Sequence, residues 1–286
     1  MKKLLFVLPL FASCAALFAC GGNKESTITI AASELPHAKI LNEAVKPVLK
    51  EKGYDLKVTV LEWTQQNPAV ARGEYDANYF QHLPYLNTYN AEASEDNQLQ
   101  LVVKVHFEKL CLYASDLNHK TLQNGDSIEI VNDVSNIERA LLLLKDNGVI
   151  TAIDPSCYGD DGAFTFNTTN PNGQVTFAEE YRDCTITCIQ ESNLAVSLQD
   201  YDFGVIPGNA ALTGLGNDYA SRIVFGEKVD EDILSLRANG VAVRKKDAKS
   251  DKSKALVEAF ASDSVKNYIA STFGDSVVYH YENLIA

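Results

Sequence analysis

The chain has 286 residues, 46% of them apolar, and 38 acidic side chains against 25 basic ones give it a formal charge of -13. That balance argues against a nucleic-acid partner, and the length suits one large domain or two ordinary ones. No internal repeat or long low-complexity run is present.

Residues 1–20 read MKKLLFVLPLFASCAALFAC, with Lys2 and Lys3 ahead of an apolar run that ends in Leu17-Phe18-Ala19-Cys20. The run is too short for a convincing membrane span and has the build of an export signal over residues 1–19. Its Leu-x-Ala-Cys ending resembles a bacterial lipobox, which implies cleavage before Cys20, acylation of its thiol and a short tether over residues 20–26. Phe11, three residues before Cys14, makes Cys14 the poorer acceptor. The mature chain is then exported and anchored without spanning, on the extracytoplasmic side of a cell or outer membrane. Loss of Lys2 and Lys3 leaves 23 basic side chains facing 38 acidic ones, a formal -15. Four cysteines remain, Cys111, Cys157, Cys184 and Cys188. They are either one or two disulfides or buried thiols, and sequence does not choose.

Ser26 to Ala32 alternates and is rich in β-branched residues, which predicts the first strand. A helix follows over 36–52, with Ala38, Leu41, Val45 and Leu49 on one face, a kink at Pro47 and Gly53 as its stop. Asp55 to Glu62 is a second strand, so the chain opens β-α-β, the start of a parallel sheet. Residues 63–73 carry the only tryptophan, Trp63, then Asn67-Pro68 and a short helix-like run; by its residue type alone Trp63 reads as a packed core ring. In Gly73 to Leu86, Tyr75, Tyr79, Phe80, His82 and Tyr85 crowd beside Asp76, Asn78 and Gln81. Such a mixture suits either a pocket for a small molecule with one apolar and one polar end, or a strand-to-helix turn with core rings.

Leu101 to His106 and Glu108 to Ala114 are two apolar runs meeting at Phe107. Ser127 to Asp133 then reads as a strand feeding a helix, with Ser135 and Glu138 as a capping box and Ile137, Ala140, Leu141 and Leu144 on the buried face. In a parallel sheet such a strand-loop-helix unit lines the ligand crevice, and the helix N-terminus offers N–H groups to an anion. Arg139, placed by this reading in the first helical turn, adds a bidentate carboxylate clamp. The bland alternative for it is a salt bridge.

Residues 151–193 carry turn signals and read as an insertion. Asp202 to Ile206 is a strand, followed by Pro207-Gly208-Asn209, where an asparagine after glycine at a strand's end reads as a turn or helix-cap residue. Ile223 to Phe225 and Ala238 to Arg244 read as strands returning to the first lobe, closed by helices between 252 and 273.

Four segments together carry a resemblance to the NlpA family of methionine-binding lipoproteins, which serve ATP-driven amino-acid importers. "YDANYFQHLPYL" looks like that family's signature. His106, Glu108, Leu112 and Tyr113 match its "VHxEPLGLYS", and Asn132, Asp133, Asn136 and Arg139 match "PNDPxNxGRALLLL". Asn209 matches the second asparagine of "DxAVINxNYAL", while Val131, Val134, Glu138, Pro207 and Ala210 depart from the pattern. The resemblance implies a periplasmic-binding-protein type II-like α/β fold, two lobes closing on a cleft, with residues 27–106 and 224–286 in one lobe and 107–223 in the other. It implies Arg139, Asn136 and Asn209 on the polar end of an amino acid, with Trp63, Tyr79, Phe80, His82 and Tyr85 boxing its side chain. It further implies a monomer delivering methionine, or another apolar amino acid or small peptide at an altered pocket, to an importer's permease and ATPase. A surface lipoprotein with an inactive pocket is the further alternative. No cofactor or metal is expected: serine-elbow, phosphate-loop and His-Glu-x-x-His motifs are absent, and the five histidines show no ligand spacing. A hydrolase using Cys111 or Cys157 is the rival from another class.

Overall fold

The computed structural model describes residues 26–160 and 162–285. The export signal and Cys20 lie outside the described residues. In chain order, β1 (Thr27–Ala32) leads through helical turns at Glu34–Ala38 and Leu41–Val45 into α1 (Lys46–Glu51). Both turns are wider than α-helix. The second lies just ahead of Pro47, which has no N–H to return to the carbonyl four residues back. There follow β2 (Asp55–Val60), α2 (Trp63–Ala71), β3 (Ala77–Gln81), α3 (Leu83–Glu92) and β4 (Leu99–Glu108). A second unit holds β5 (Leu110–Ala114), β6 (Ser127–Val131), α4 (Val134–Asp146), β7 (Ile150–Ile153) and β8 (Val175–Phe177). It continues with β9 (Thr185–Ile189), α5 (Glu191–Ser197), β10 (Phe203–Pro207), α6 (Gly208–Gly214) and β11 (Ile223–Gly226). Then come α7 (Glu231–Arg237), β12 (Asn239–Arg244), α8 (Asp251–Phe260), α9 (Asp263–Phe273) and β13 (Val277–Asn283).

Two sheets define two lobes. One runs β13-β4-β12-β3-β1-β2 and the other β11-β5-β10-β6-β9, with β7 and β8 a separate pair. β2 and β3 flank β1 in parallel, and β10 and β9 flank β6 in parallel, so each lobe has the predicted crossover core with antiparallel strands added at one side. The chain leaves the first sheet after Glu108 and enters the second at Leu110, so the junction is Lys109 rather than Phe107. Ile223–Gly226 does not return to the first lobe as expected: it pairs antiparallel with β5 in the second sheet. Glu227 extends that pairing by donating its N–H to Leu110 O at 3.0 Å, and the return is made by β12.

Alternation sets the cores. Ile28 and Ile30 are fully buried in lobe 1 with Leu41, Leu49, Val105 and Phe260, and α4 seats Ile137, Ala140, Leu141 and Leu144 under the second sheet at the predicted helical spacing. Each buried Ile, Leu, Val or Phe side chain contributes about 1.5–3 kcal/mol. The four cysteines of the described residues are free thiols, three of them buried, which settles the alternatives the sequence left open.

One core residue is titratable and badly housed. Glu129 on β6 is fully buried; its Oε2 accepts from Ser197 Oγ at 2.5 Å while Oε1 has no partner. Burial pushes its carboxyl up to about 7, partly offset by Ser197. Between about pH 4.5 and 7 the folded state keeps a proton that the unfolded chain has released, so this group lowers stability as pH rises through that window. Glu129→Gln is therefore expected to gain about 1–2 kcal/mol at about pH 8, after allowance for solvent screening, and little at about pH 4. Urea melts of both proteins at the two pH values check this.

Candidate functional site

The C-terminal end of β3, with the first turns of α2 and α3, faces α4, α5 and the β10–α6 junction across a cavity of about 40 Å³. Its walls include Trp63, Phe80, His82, Tyr85, Asn136, Arg139 and Asn209. Three rings form the apolar side: Tyr85 meets Trp63 edge-on with centroids 5.2 Å apart, and meets Phe80 at 5.4 Å.

Tyr79 is not part of this wall. Successive residues of a strand face opposite sides, and Tyr79 is fully buried in the lobe-1 core, against His37 at 4.7 Å and Phe260 at 5.2 Å. Its hydroxyl hydrogen-bonds His106 Nδ1, and His106 Nε2 lies 2.8 Å from Glu108 Oε1. His37 Nε2 lies 3.4 Å from the same oxygen. The fold thus gathers His37, His106 and Glu108, whose sequence spacing gave no sign of it.

His82 caps α3. Its Nδ1 accepts from the Tyr85 N–H at 3.2 Å, which leaves Nε2 to donate to Asn136 Oδ1 at 3.1 Å. Burial, with Arg237 and Arg139 nearby, depresses the imidazole to about 3, so it stays neutral. The bond joins β3–α3 of lobe 1 to α4 of lobe 2 across the cleft.

α4 starts earlier than its sequence predicts. Asp133, not Ser135, is the N-cap, its Oδ1 accepting from the Asn136 N–H at 3.1 Å, and the Ser135 hydroxyl donates to the same carboxylate at 2.8 Å. Two expectations fall with that shift. The helix N-terminus already holds a carboxylate, the chain's own Asp133. Arg139 is the sixth helical residue, beyond the first turn, and its Nε and Nη2 each donate to a Glu227 oxygen at 2.6 Å. Nη2 also donates to Glu108 O at 2.8 Å, and Nη1 has no hydrogen-bond partner among the described residues. Arg139 is thus a wall residue and one half of an almost buried ion pair, with side chains 7% and 11% exposed.

Gln81, Glu108, Glu191, Pro207 and Asn239 complete the wall. Glu108 and Pro207 lie in the matched segments, but the match gives them no role in the site. Glu191 lies near the end of the 151–193 stretch, which has no readable pattern, and Asn239 opens β12 after α7. For these two nothing local marks a site; only topology brings them in. Gln81 is held by Asn67 and Asn78 in a buried amide cluster at 2.6–2.9 Å. Glu191 accepts from Asn209 Nδ2 at 3.2 Å, and burial, with Asp133 nearby, raises its carboxyl to about 7. Glu108 is also raised by burial, partly offset by His37, Arg139 and the Asn209 backbone N–H.

Among the described residues, two buried atoms of cavity-lining side chains have no hydrogen-bond partner: the donor Trp63 Nε1 and the acceptor Asn209 Oδ1. Unpaired buried polar atoms are uncommon and each costs about 1–3 kcal/mol, so an orphan donor and an orphan acceptor around one cavity suit an occupant that carries both functions.

The model of the NlpA lipoprotein family matches residues 28–280 of the chain. The chain is similar to the methionine-binding lipoprotein MetQ of Bacillus subtilis, 33% identical over 285 residues, 97% of this chain and 98% of the relative. Among solved structures it is similar to a nutrient binding protein from Burkholderia cenocepacia bound to methionine. That likeness has a TM-score of 0.75 at 27% identity, covering 88% of this chain and 99% of the other. Lipoprotein Tp32 of Treponema pallidum superposes with a TM-score of 0.76 at 26% identity, covering 90% and all of the two chains.

Proposed function

Because the chain belongs to the NlpA lipoprotein family, we propose that it is an extracytoplasmic substrate-binding lipoprotein that captures methionine between its lobes and delivers it to an ABC importer. The observation that carries this reading is the ring-walled cavity with one orphan donor and one orphan acceptor. The rings of Trp63, Phe80 and Tyr85 suit a thioether, since sulfur-ring contacts add about 0.3–1.5 kcal/mol. Trp63 Nε1 and Arg139 Nη1 are donors for the carboxylate. Asn136 and Asn209 orient the polar end.

The His82–Asn136 bond and the Arg139 bond to Glu108 O hold the lobes together, so entry proceeds by a hinge motion that opens them and closure resets these bonds. Cys20 anchors the protein through its acyl chain, as a monomer, facing the permease and ATPase of the importer. Turnover by a cysteine is a poorer reading. Burial raises the Cys111 thiol to about 11 and raises Cys157 too, against the thiolate a nucleophile needs.

The test is a fluorescence titration of the mature chain in detergent, stripped of ligand by unfolding and refolding, with L-methionine, D-methionine and the other amino acids in turn. Trp63 is the only tryptophan, and a saturable change in its emission with methionine at micromolar concentration is the expected result. No heat in calorimetry and no emission change with any amino acid would overturn the reading.

A further inference from the structure

Arg139 lines two cavities. The second, of about 310 Å³, shares no other wall residue with the ring-walled one. Its sides come from both lobes: α4 of lobe 2, and α7, which packs on α3, β4 and β13 of lobe 1. Between them runs the chain that crosses from β11 to α7, lining the cavity with Gly226, Glu227, Lys228 and Asp230. The helices carry matching patterns. On α4, Arg139, Leu142, Leu143 and Asp146 fall at i, i+3, i+4 and i+7, and on α7, Ile233, Leu236 and Arg237 fall at i, i+3 and i+4. Each helix thus turns an apolar stripe and one arginine to the cavity. Leu142 and Leu236 stay 39% and 43% exposed, and Val229, between Lys228 and Asp230, is 42% exposed. Exposed apolar side chains gathered within a polar rim mark a binding surface.

The two arginines differ in what they hold. Arg139 is engaged by Glu227 and Glu108 O. Arg237 is only 7% exposed, yet its one hydrogen bond runs from Nη1 to Ser135 O at 3.2 Å, and among the described residues no carboxylate lies within ion-pair distance of it. Buried charges are ordinarily paired. The acids around the cavity are committed elsewhere: Glu227 accepts from Arg139 and the Leu110 N–H, Asp230 caps α7 by accepting from the Ile233 N–H at 2.9 Å, and Asp146 is exposed on the rim. Burial and the neighbouring Arg139 hold the Arg237 guanidinium below the ordinary arginine range, partly offset by Glu227, Glu138 and Asp133, none of which bonds it. We propose that this cavity is a second ligand site, for an amphipathic carboxylate of the medium-chain fatty-acid class, with its head on Arg237 and its tail between Leu142, Leu143, Ile233 and Leu236. A guanidinium takes a carboxylate through two parallel N–H bonds, and each methylene that leaves water between the helices tightens binding roughly fourfold. The site does not depend on the methionine reading, since its head and tail contacts are absent from the ring-walled cavity.

Calorimetry with octanoate, butanoate and octan-1-ol tests this on the mature chain carrying Cys20→Ser, which is unacylated and needs no detergent. Octanoate is expected to bind one site per chain with a Kd of about 100 μM. Butanoate, which keeps the charge and loses tail, is expected at least about 30-fold weaker, and octan-1-ol, which keeps the tail and loses charge, at least about tenfold weaker. Leu142→Glu, a change at an exposed position, is expected to weaken octanoate at least about tenfold with unchanged thermal unfolding. Arg237→Gln keeps a donor for Ser135 O and is expected to bring octanoate down to the affinity of octan-1-ol; if that variant does not fold, Leu142→Glu decides. No heat with octanoate up to about 5 mM, equal binding of octanoate and octan-1-ol, or a neutral Leu142→Glu overturns the proposal. Displacement of octanoate by methionine would place it in the ring-walled cavity and overturns it too. Failure of methionine to bind leaves these octanoate results standing and counts only against the methionine reading.

Discussion

Arg139→Ala is expected to destabilise the protein by about 3–5 kcal/mol, because it strands the Glu227 carboxylate in a nearly dry site. The same change also removes a donor to Glu108 O at the lobe junction. Loss of ligand binding in this variant would therefore not by itself make Arg139 a ligand contact. Arg139→Met combined with Glu227→Gln separates the two roles. The methionine fills the volume, and the glutamine still accepts from the Leu110 N–H, which Glu227 now does at 2.9 Å. The double variant is expected to recover all but about 1–2 kcal/mol of the stability. With the clamp already shared with Glu227, its affinity for methionine is expected within about tenfold of the wild type. Chemical unfolding and calorimetry on both variants check the pair of statements; a double variant that folds normally yet binds nothing would make Arg139 the dominant ligand anchor.

Tyr79→Ala and Phe80→Ala, adjacent changes of similar size, are expected to have opposite consequences. Tyr79→Ala should cost about 3–5 kcal/mol, since it opens a cavity among His37, His106 and Phe260 and takes away the partner of His106 Nδ1. Affinity of the protein that remains folded should stay within about threefold. Phe80 is half-buried and walls the cavity, so its alanine variant should lose about 1 kcal/mol of stability or less and at least about tenfold in affinity. Thermal melts paired with titrations distinguish them, and a Tyr79→Ala protein that is stable but binds poorly would put Tyr79 back in the site.

Much of the molecule is legible in its sequence, because local periodicity carries local burial. The alternation of Thr27 to Ala32 and the helical spacing of Ile137, Ala140, Leu141 and Leu144 fix which faces are inward before any tertiary contact is known. The motif order placed seven of eight named residues, Trp63, Phe80, His82, Tyr85, Asn136, Arg139 and Asn209, around one cavity. What sequence could not decide is pairing between distant segments. Tyr79 went to the core because β3 alternates at the very point where the aromatic run looked continuous. Asp133 displaced Ser135 as cap because the aspartate reaches the Asn136 N–H, a choice between two good capping residues that depends on where the strand lets the chain go.

Glu227 and Glu191 are the clearest cases. One lies 88 residues from Arg139 and the other 18 from Asn209, and no local pattern distinguishes either from the solvated acids around it. Their partners, and with them the charge of the cavity, follow from β11 pairing with β5 and α5 packing beside α6. Short-range chemistry sets each element and its buried face, but burial of a charge is a property of the assembled lobes, and the desolvation that gives Glu191 its altered carboxyl exists only once they meet.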